Sequence, residues 1–360
     1  MKNNKFLFLA FISTRIAHFI IAVTSYMFIH NEVGAGSSYW RGIIPDKSIF
    51  IRVWQRWDSN FYQSILEKGY KEFAEGVYDT AFFPLYPFLG KIVNVLVGNA
   101  PVSLLIISNL SLFLAMYYMF NIVKEDYGEA IAKKSVWFLL AYPFAFFFTG
   151  IYTESLFLAL LTGSVYYMRK NNIFMLSLFS FLLPLSRAVG VVVIPVVFYY
   201  LYKKHLLKNF FVLILPMLAL IGYYLYSAHV GQTFSESSFL GWKRYYTFPW
   251  TTIIKHFERI TSGDFSVIFI YNLVLSFVFL GTIVWSIKEG MKLEYIIIML
   301  VLVFMPLCSN QLKSFVRYSV VVFPTFILLA QKIDERIFLA LGFSLQGLML
   351  GLYSNWVYIA

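Results

Sequence analysis

The feature that most constrains this chain is a series of long apolar runs separated by short basic loops. A helix that crosses the roughly 30 Å hydrocarbon layer of a bilayer needs about 20 apolar residues. Candidate runs fall at 6–29, 102–123, 131–148, 155–168, 173–185, 188–202, 210–228, 266–287, 293–307, 315–331 and 337–353. Of the 360 residues, 60% are apolar and 13% are charged, and the mean hydropathy is +0.71. Soluble domains are closer to half apolar and a quarter charged. A surface built from this composition cannot be kept from water, so lipid must be the solvent. In lipid every backbone amide needs an internal partner, which restricts spanning elements to helices or closed barrels. The apolar runs have helix length. The expectation is an all-α polytopic membrane bundle with about eleven transmembrane helices, forming one domain over 1–360. No internal repeat or low-complexity linker divides it. The pair of runs over 173–202 reads as one bent hairpin around Arg187.

The net charge of +11 does not point to nucleic acid, because most of the basic residues lie in short loops between apolar runs. The run 6–29 is too long for a signal-peptide core, and no small-residue cleavage site follows it, so it reads as a retained first span. The segment 82–98 is apolar enough to be a span, and treating it as one would reverse every later loop. Without it, one side collects Lys2, Lys5, Lys124, Lys133, Lys134, Arg169, Lys170, Lys203, Lys204, Lys208, Lys288, Lys292, Lys332 and Arg336. The short loops opposite keep only Arg187 and Lys313. Lysine and arginine in short loops mark the cytoplasmic side. The expectation is therefore a multi-pass cell-membrane protein with a cytoplasmic N-terminus, and with 82–98 lying along the outer interface. Two long segments, 30–100 and 229–265, then face outward. With one cysteine, Cys308, no intrachain disulfide is possible.

The densest polar patch is Trp54-Gln55-Arg56-Trp57-Asp58-Ser59-Asn60-Phe61-Tyr62, followed by Glu67, Tyr70 and Phe82-Phe83-Pro84-Leu85-Tyr86-Pro87. Asp58, Tyr62 and Ile65 share one face of a helix that starts near Asp58. Two readings of Asp58 stand side by side. It caps that helix, or it is a carboxylate in an aromatic, partly dry pocket that takes a proton from a hydroxyl. Trp57, Tyr62, Tyr70 and Tyr152 are the aromatic candidates for substrate contact. Glu154 either complements a helix N-terminus, pairs with Arg187, or touches substrate. Arg187 and Arg317 sit near the outer ends of spans, where an arginine is costly without a task or a partner. Lys313 and Arg56 are weaker cationic candidates. Arg15 and His18, inside the first span, must face the bundle. The outward carboxylates are scattered, with no DxD spacing, and His256 stands alone, so no metal ligand set is assigned. The segment Gly241–Tyr246 reads as a basic aromatic lid or an interfacial anchor.

Four pieces of the chain, in order, resemble one family. The run WDSNFYQSILEKGY followed by AFFPLYPFL is similar to the W-D-x-x-x-Y-x-x-I-A-x-x-G-Y … F-F-P-L-Y-P pattern of the PIG-V family. That family contains the second mannosyltransferase of GPI-anchor synthesis and its prokaryotic relatives, within the GT-C superfamily of membrane glycosyltransferases. YPFAFFFTGIYTESLFLAL (142–160), LSRAVGVVVIP (185–195) and SFVRYSVVVFPTFILLA (314–330) resemble later family segments. Leu66 stands where the family usually has alanine. The ends of the chain and 229–265 carry no match.

The resemblance implies a GT-C fold with interface-lying helices in the first outer loop, and a polyprenyl-phosphate-linked sugar as donor. It also implies inversion at the anomeric carbon. Asp58 would be the base, and Arg187 and Arg317 would hold the leaving phosphate. The acceptor would be a glycolipid, a glycan or a protein. A divalent cation, Mg or Mn, serves some GT-C enzymes and not others. The lysine-, asparagine-, isoleucine- and phenylalanine-rich composition suggests a prokaryotic source, where GPI anchors are not made. Three other readings stay open at this point. One is a secondary transporter, which usually shows inverted repeats. A second is a non-catalytic lipid- or glycan-binding subunit. A third is another outward-facing enzyme on lipid-linked sugars, such as a glycan ligase, against which the W-D and F-F-P-L-Y-P runs argue.

Overall fold

The computed structural model describes residues 2–29, 45–263 and 267–359. The first part of the expected outer segment, with Arg41, and also Asp264, lie outside the described residues. The chain folds as an all-α helical bundle. Its described strands form one small antiparallel hairpin, Glu72–Ala74 with Val77–Tyr78.

Among the described residues, five helices are long and apolar enough to cross a membrane: Asn3–Ile29, Ala100–Ala141, Leu207–Val230, Ile268–Lys288 and Glu335–Ser354. Their outward faces carry large exposed apolar side chains, including Ile16 and Ile20, Leu218 and Leu225, Val274 and Val278, Leu341 and Leu348. Water would penalise that much uncovered hydrocarbon, whereas acyl chains do not. This is a membrane protein. Further candidate spans take shorter form, as Ile173–Ser186, Ala188–Lys203 and Leu293–Leu307. The helix Glu154–Arg169 is buried on nearly all sides and forms the centre of the bundle, as expected of a helix apolar all round.

Three expectations are adjusted. The runs 102–123 and 131–148 belong to one 42-residue element, Ala100–Ala141, broken at Gly128. Gly128 has φ 86°, a left-handed conformation that only glycine adopts without strain. The second arm stops at Ala141, and a 3-10 turn, Ala145–Phe148, replaces the expected end of the span. The segment 82–98 forms the helix Leu85–Val97, but it does not lie apart from the bundle. Gly90 packs on Leu104, the Tyr86 hydroxyl lies 2.7 Å from Ser108 Oγ, and Ser103 Oγ donates to Asn94 at 3.2 Å. Those pairings make it the antiparallel arm of a helical hairpin with the first turns of Ala100–Ala141. The turn between the arms is Gly98, the left-handed C-cap, followed by Asn99, whose side chain caps the next helix.

The pair of runs around Arg187 does form a hairpin. Ile173–Ser186 is followed by Arg187 in extended backbone, a 3-10 turn Ala188–Val192, and the helix Val193–Lys203. The Tyr200 hydroxyl returns to Asn171 Oδ1 at 2.7 Å, closing the far end.

The basic short loops gather at one end. Asp126 accepts from Arg169 and Lys292, each at 2.6 Å, and from the Tyr295 hydroxyl. Lys134 donates to the Ile333 carbonyl at 2.6 Å, and Lys332 pairs with Glu289. Inside the bundle, His18 is held between Thr149 Oγ1 (2.7 Å) and Gln346 Oε1 (3.0 Å), and Gln346 donates to the Leu140 and Tyr142 carbonyls. Arg15 is buried beside Phe11. Both side chains face the bundle.

The last helix, Glu335–Ser354, tests this packing through two glycines. A Cβ at Gly342 would lie 2.4 Å from the Ala141 carbonyl oxygen, a backbone atom that cannot yield. A Cβ at Gly347 would meet only Ile21 Cδ1, at 3.8 Å. Gly342→Ala should lower the thermal midpoint of the purified protein, by the ~1–3 kcal/mol typical of overpacking. Gly347→Ala should leave it unchanged or raise it, since alanine is the better helix former. Equal effects at the two positions would show that the helix contact is not tight.

Candidate functional site

The first wall of the site comes from the Trp-Asp motif. Trp57 sits at φ 44°, a left-handed conformation that is unfavourable for a bulky side chain. Its indole is held by three rings, Tyr353, Trp356 and Tyr358, at 5.4, 5.7 and 5.8 Å. This bend turns the next residue, Asp58, toward the interior before the helix Ser59–Lys68 begins. Asp58 is the N-cap residue of that helix, yet its side chain makes no capping hydrogen bond. Its Oδ2 instead pairs with Arg317 Nη1.

Arg317 comes from the short helix Phe315–Ser319. Its Nε lies 3.0 Å from Glu154 Oε1, and Arg187 Nη1 donates to the same oxygen at 2.5 Å. Glu154 is 1% exposed and opens the central helix. A continuous chain of opposite charges thus runs Arg187–Glu154–Arg317–Asp58. It joins four segments that are far apart in sequence. The Tyr318 ring lies among three guanidiniums, those of Arg187 (4.9 Å), Arg317 (5.5 Å) and Arg244 (5.7 Å). Arg244 Nη1 contacts the Tyr318 hydroxyl at 2.5 Å, and Nη2 donates to the Lys313 carbonyl at 3.0 Å.

These groups border a cavity of about 540 Å³. Of the expected contacts, Trp57, Asp58, Tyr62, Tyr152, Arg187, Lys313 and Arg317 line it. The Tyr152 hydroxyl itself donates to the Arg56 carbonyl at 3.0 Å, so this ring contributes a face. Partial burial and the nearby Arg244 push the Lys313 ammonium below its usual range, while Asp58 acts in the opposite direction.

Three expected contacts are placed elsewhere. Arg56 is fully buried beneath the motif. It donates to the Ser354 carbonyl at 2.6 and 3.1 Å and to the Arg52 carbonyl at 2.6 Å, and it stacks on Trp356. Backbone carbonyls satisfy a buried guanidinium well, so this arginine fixes the last helix to the motif. Tyr70 donates to the Phe82 carbonyl at 2.7 Å and packs on Tyr223 and Tyr226, away from the cavity. Glu154 stands behind the lining and acts as ion partner to both arginines.

A divalent cation does not fit this donor set. Mg²⁺ and Mn²⁺ call for several oxygen ligands, usually carboxylates. Asp58 is the one carboxylate lining the cavity among the described residues, and it and Glu154 are already matched to guanidiniums. No group of three or more His, Cys, Asp or Glu comes together among the described residues.

No protein-family model matches the chain, and no curated protein matches it in sequence. Two crystal structures of the Archaeoglobus fulgidus oligosaccharyltransferase are similar to it in shape. One is the complex with Zn and sulfate, with a TM-score of 0.47, 12% identity and 95% of this chain covered. The other is tethered by a disulfide to an acceptor peptide containing the NVT sequon, with a TM-score of 0.46, 12% identity and 96% of this chain covered. The chain spans about half the length of that protein, 53% and 55% respectively.

Trp242, Arg244, Tyr318 and Tyr358 also line the cavity; Trp242 and Arg244 belong to the segment expected as a lid or an anchor, and Tyr318 and Tyr358 are not singled out in the sequence. Tyr318 directly follows Arg317. Tyr358 carries no sequence signal at all.

The 241–246 segment and the residues after it are fastened by hydrogen bonds to residues 308–310. The Thr247 amide donates to the Cys308 carbonyl at 2.7 Å, and Thr252 Oγ1 donates to the Ser309 carbonyl at 2.5 Å. On the helix Pro249–Thr261, His256 is buried, with Nδ1 2.9 Å from the Thr252 carbonyl. The Leu312 amide donates to its Nε2 at 3.3 Å. One neutral tautomer satisfies both contacts, so the imidazole is structural. Burial holds its pKa below the usual value of about 6.5, helped by Arg259 and opposed by the Thr252 carbonyl. A base whose folded pKa is depressed stabilises the fold fully above its unfolded pKa, and loses that contribution as pH falls below it. Hydrogen exchange at 243–256 and 309–313 should therefore accelerate below about pH 6.5. A His256→Gln variant should lack this acid step. An identical pH response in that variant would remove His256 as the cause.

Proposed function

We propose that this protein is a membrane glycosyltransferase of the GT-C type, related to the PIG-V family. It moves a sugar, mannose or another hexose, from a polyprenyl phosphate to an acceptor hydroxyl. The observation that carries this reading is a carboxylate and several cations converging on one aromatic-walled cavity at a single end of the bundle. Asp58 takes the proton of the acceptor hydroxyl as its oxygen attacks the anomeric carbon. The bond from that carbon to the phosphate oxygen breaks on the opposite face, so configuration inverts. The lipid phosphate leaves as a stable anion and needs no protonation, unlike the leaving group of an inverting glycosidase, which requires a second carboxylic acid. Arg187 and Arg317 supply the fixed positive charge that this departure requires. Trp57, Tyr62 and Tyr152 offer flat apolar faces to the sugar and to the first prenyl units.

The chain acts as one membrane domain over 1–360, with its N-terminus in the cytoplasm. The basic end containing Lys134, Arg169 and Lys292 faces the cytoplasm by the charge rule, and the cavity opens on the outer or lumenal face. The acceptor is a glycolipid, a glycan or a protein. No step needs a metal, because the arginines occupy the role a cation would play at the phosphate.

Arg317 is held by Asp58 as well as by Glu154. An incoming phosphate must compete with Asp58 for that guanidinium, and by succeeding it releases the carboxylate to act as base. The test uses purified protein in nanodiscs of neutral lipid, radiolabelled polyprenyl-phosphate sugars, and host membrane extract as acceptor. Asp58→Asn should lose transfer by about 10²–10⁴-fold, the range for removal of a general base. The same variant should bind polyprenyl phosphate more tightly than the wild type does. A folded Asp58→Asn protein with undiminished transfer would sink the assignment. Weakened phosphate binding in the variant would refute the competition.

A further inference from the structure

Resting on that reading, we infer that the cavity holds a second phosphate subsite, formed by Arg244, Lys313 and the Tyr318 hydroxyl. The first argument is charge balance. Among the described residues four cations line the cavity, Arg187, Arg244, Lys313 and Arg317, against one lining carboxylate, Asp58, with Glu154 behind it. Two positive charges remain in excess among them. A sugar phosphodiester carries one negative charge, which leaves one cation unmatched after the donor is bound. Confined like charges repel, and that repulsion is strong in a partly dry site, so the arrangement favours a second anion.

The second argument is where the unmatched charge sits. Arg187 and Arg317 are each paired with a carboxylate. Among the described residues, Arg244 and Lys313 are paired with none. Arg244 Nε is buried and has no hydrogen-bond partner. Lys313 Nζ rests 4.8 Å from the centre of the Tyr358 ring, and its ammonium makes no hydrogen bond within the described protein.

The third argument is geometry. Arg244 Nη1 contacts the Tyr318 hydroxyl, whereas Arg187 and Arg317 meet at Glu154 Oε1, so the two cationic groups are anchored at different points and present two neighbouring positions rather than one. A guanidinium fork, an ammonium and a phenol hydroxyl supply donors from several directions. That set suits the three oxygens of a phosphate better than the two of a carboxylate. The second phosphate has two sources. It is the lipid-side phosphate of a pyrophosphate-linked donor, whose sugar-bearing phosphate sits at Arg187 and Arg317, or it is a phosphate on the acceptor.

Binding measurements separate these sources, using nanodiscs of phosphatidylcholine and two probes of equal chain length, polyprenyl monophosphate and polyprenyl diphosphate. In the donor case, wild type binds the diphosphate at least about tenfold more tightly, the worth of one charge-assisted contact. Lys313→Gln loses most of that preference, and Lys313→Gln combined with Arg244→Gln loses all of it, while monophosphate affinity persists. In the acceptor case, the two probes bind alike. Protein loaded with monophosphate then takes up short-chain phosphatidic acid saturably, and the same variants lose this uptake. Lys313→Gln alone keeps the test readable if the Arg244 change disturbs the lid, because the Lys313 ammonium holds no other element in place. Absence of a second phosphate in both arms, or variants that bind every probe as wild type does, overturns the subsite. Monophosphate binding and sugar transfer by the wild type are read separately, so a failure here leaves the transferase reading standing.

Discussion

The structure of the cavity end depends on the burial of one carboxylate. Glu154 begins the central helix, almost wholly out of contact with solvent. An isolated charge in that position is untenable, and removing one partner from a buried pair typically costs about 3–5 kcal/mol. The fold must therefore deliver cations to this point. Arg187 arrives because Ile173–Ser186 ends there in a single extended residue before the chain turns back. Arg317 arrives because the segment after Leu293–Leu307 does not continue into the next long helix. It makes the separate turn Phe315–Ser319 first. Two breaks that would be defects in a simple spanning bundle are thus the means by which the central carboxylate is satisfied.

Arg317 is also what makes the site more than a structural ion pair. Glu154 is shared by two guanidiniums, so neither is fully neutralised, and Arg317 keeps a second direction of contact, to Asp58. Asp58 is the more exposed of the two carboxylates and lines the cavity, whereas Glu154 does not. A ligand anion can therefore exchange with Asp58 but not with Glu154. The anchor and the exchangeable group are the same chemical type, separated by depth alone. The bend at Trp57 maintains that difference, because it sets Asp58 at the cavity wall while three aromatic rings hold the strained indole in place.

Much of this was legible in the sequence. Apolar run length gave the all-α membrane class, and loop charges separated the two ends, because hydropathy and charge act locally. The motif around Asp58 proves to line the cavity, and the pairing of Arg187 with Glu154 was among the stated alternatives. What the sequence hid is tertiary. Arg56 and Asp58 lie two positions apart in one motif and look equally available. Only the approach of the last helix, presenting the Ser354 carbonyl, commits Arg56 to the backbone. Tyr70 is withdrawn in the same way by the Phe82 carbonyl. Tyr358 enters the cavity through long-range docking that leaves no local pattern. The helix Leu85–Val97 packs closely on the helix that follows it because Gly90 allows close approach to Leu104, a contact no charge count can register.

The distribution of polar groups also bears on which class of membrane function is physically reasonable. The central helix is buried, and the two hydroxyls in its middle, those of Thr162 and Ser164, bond to their own helix. Thr162 donates to the Leu158 carbonyl at 2.7 Å and Ser164 to the Leu160 carbonyl at 2.8 Å. Asp126, Arg169 and Lys292 lock together at the far end. Between that lock and the Glu154 cluster, the core along this helix offers side chains such as Phe157, Leu158 and Leu161, which cannot accompany a polar solute. Transporters instead place their polar sites near the middle of the bilayer, where helices are broken and both sides have access. The charged groups here are gathered at the two ends of the central helix, with an apolar core between them. At the Glu154 end the broken segments, at Arg187 and at Phe315–Ser319, bring their guanidinium groups to the cavity wall.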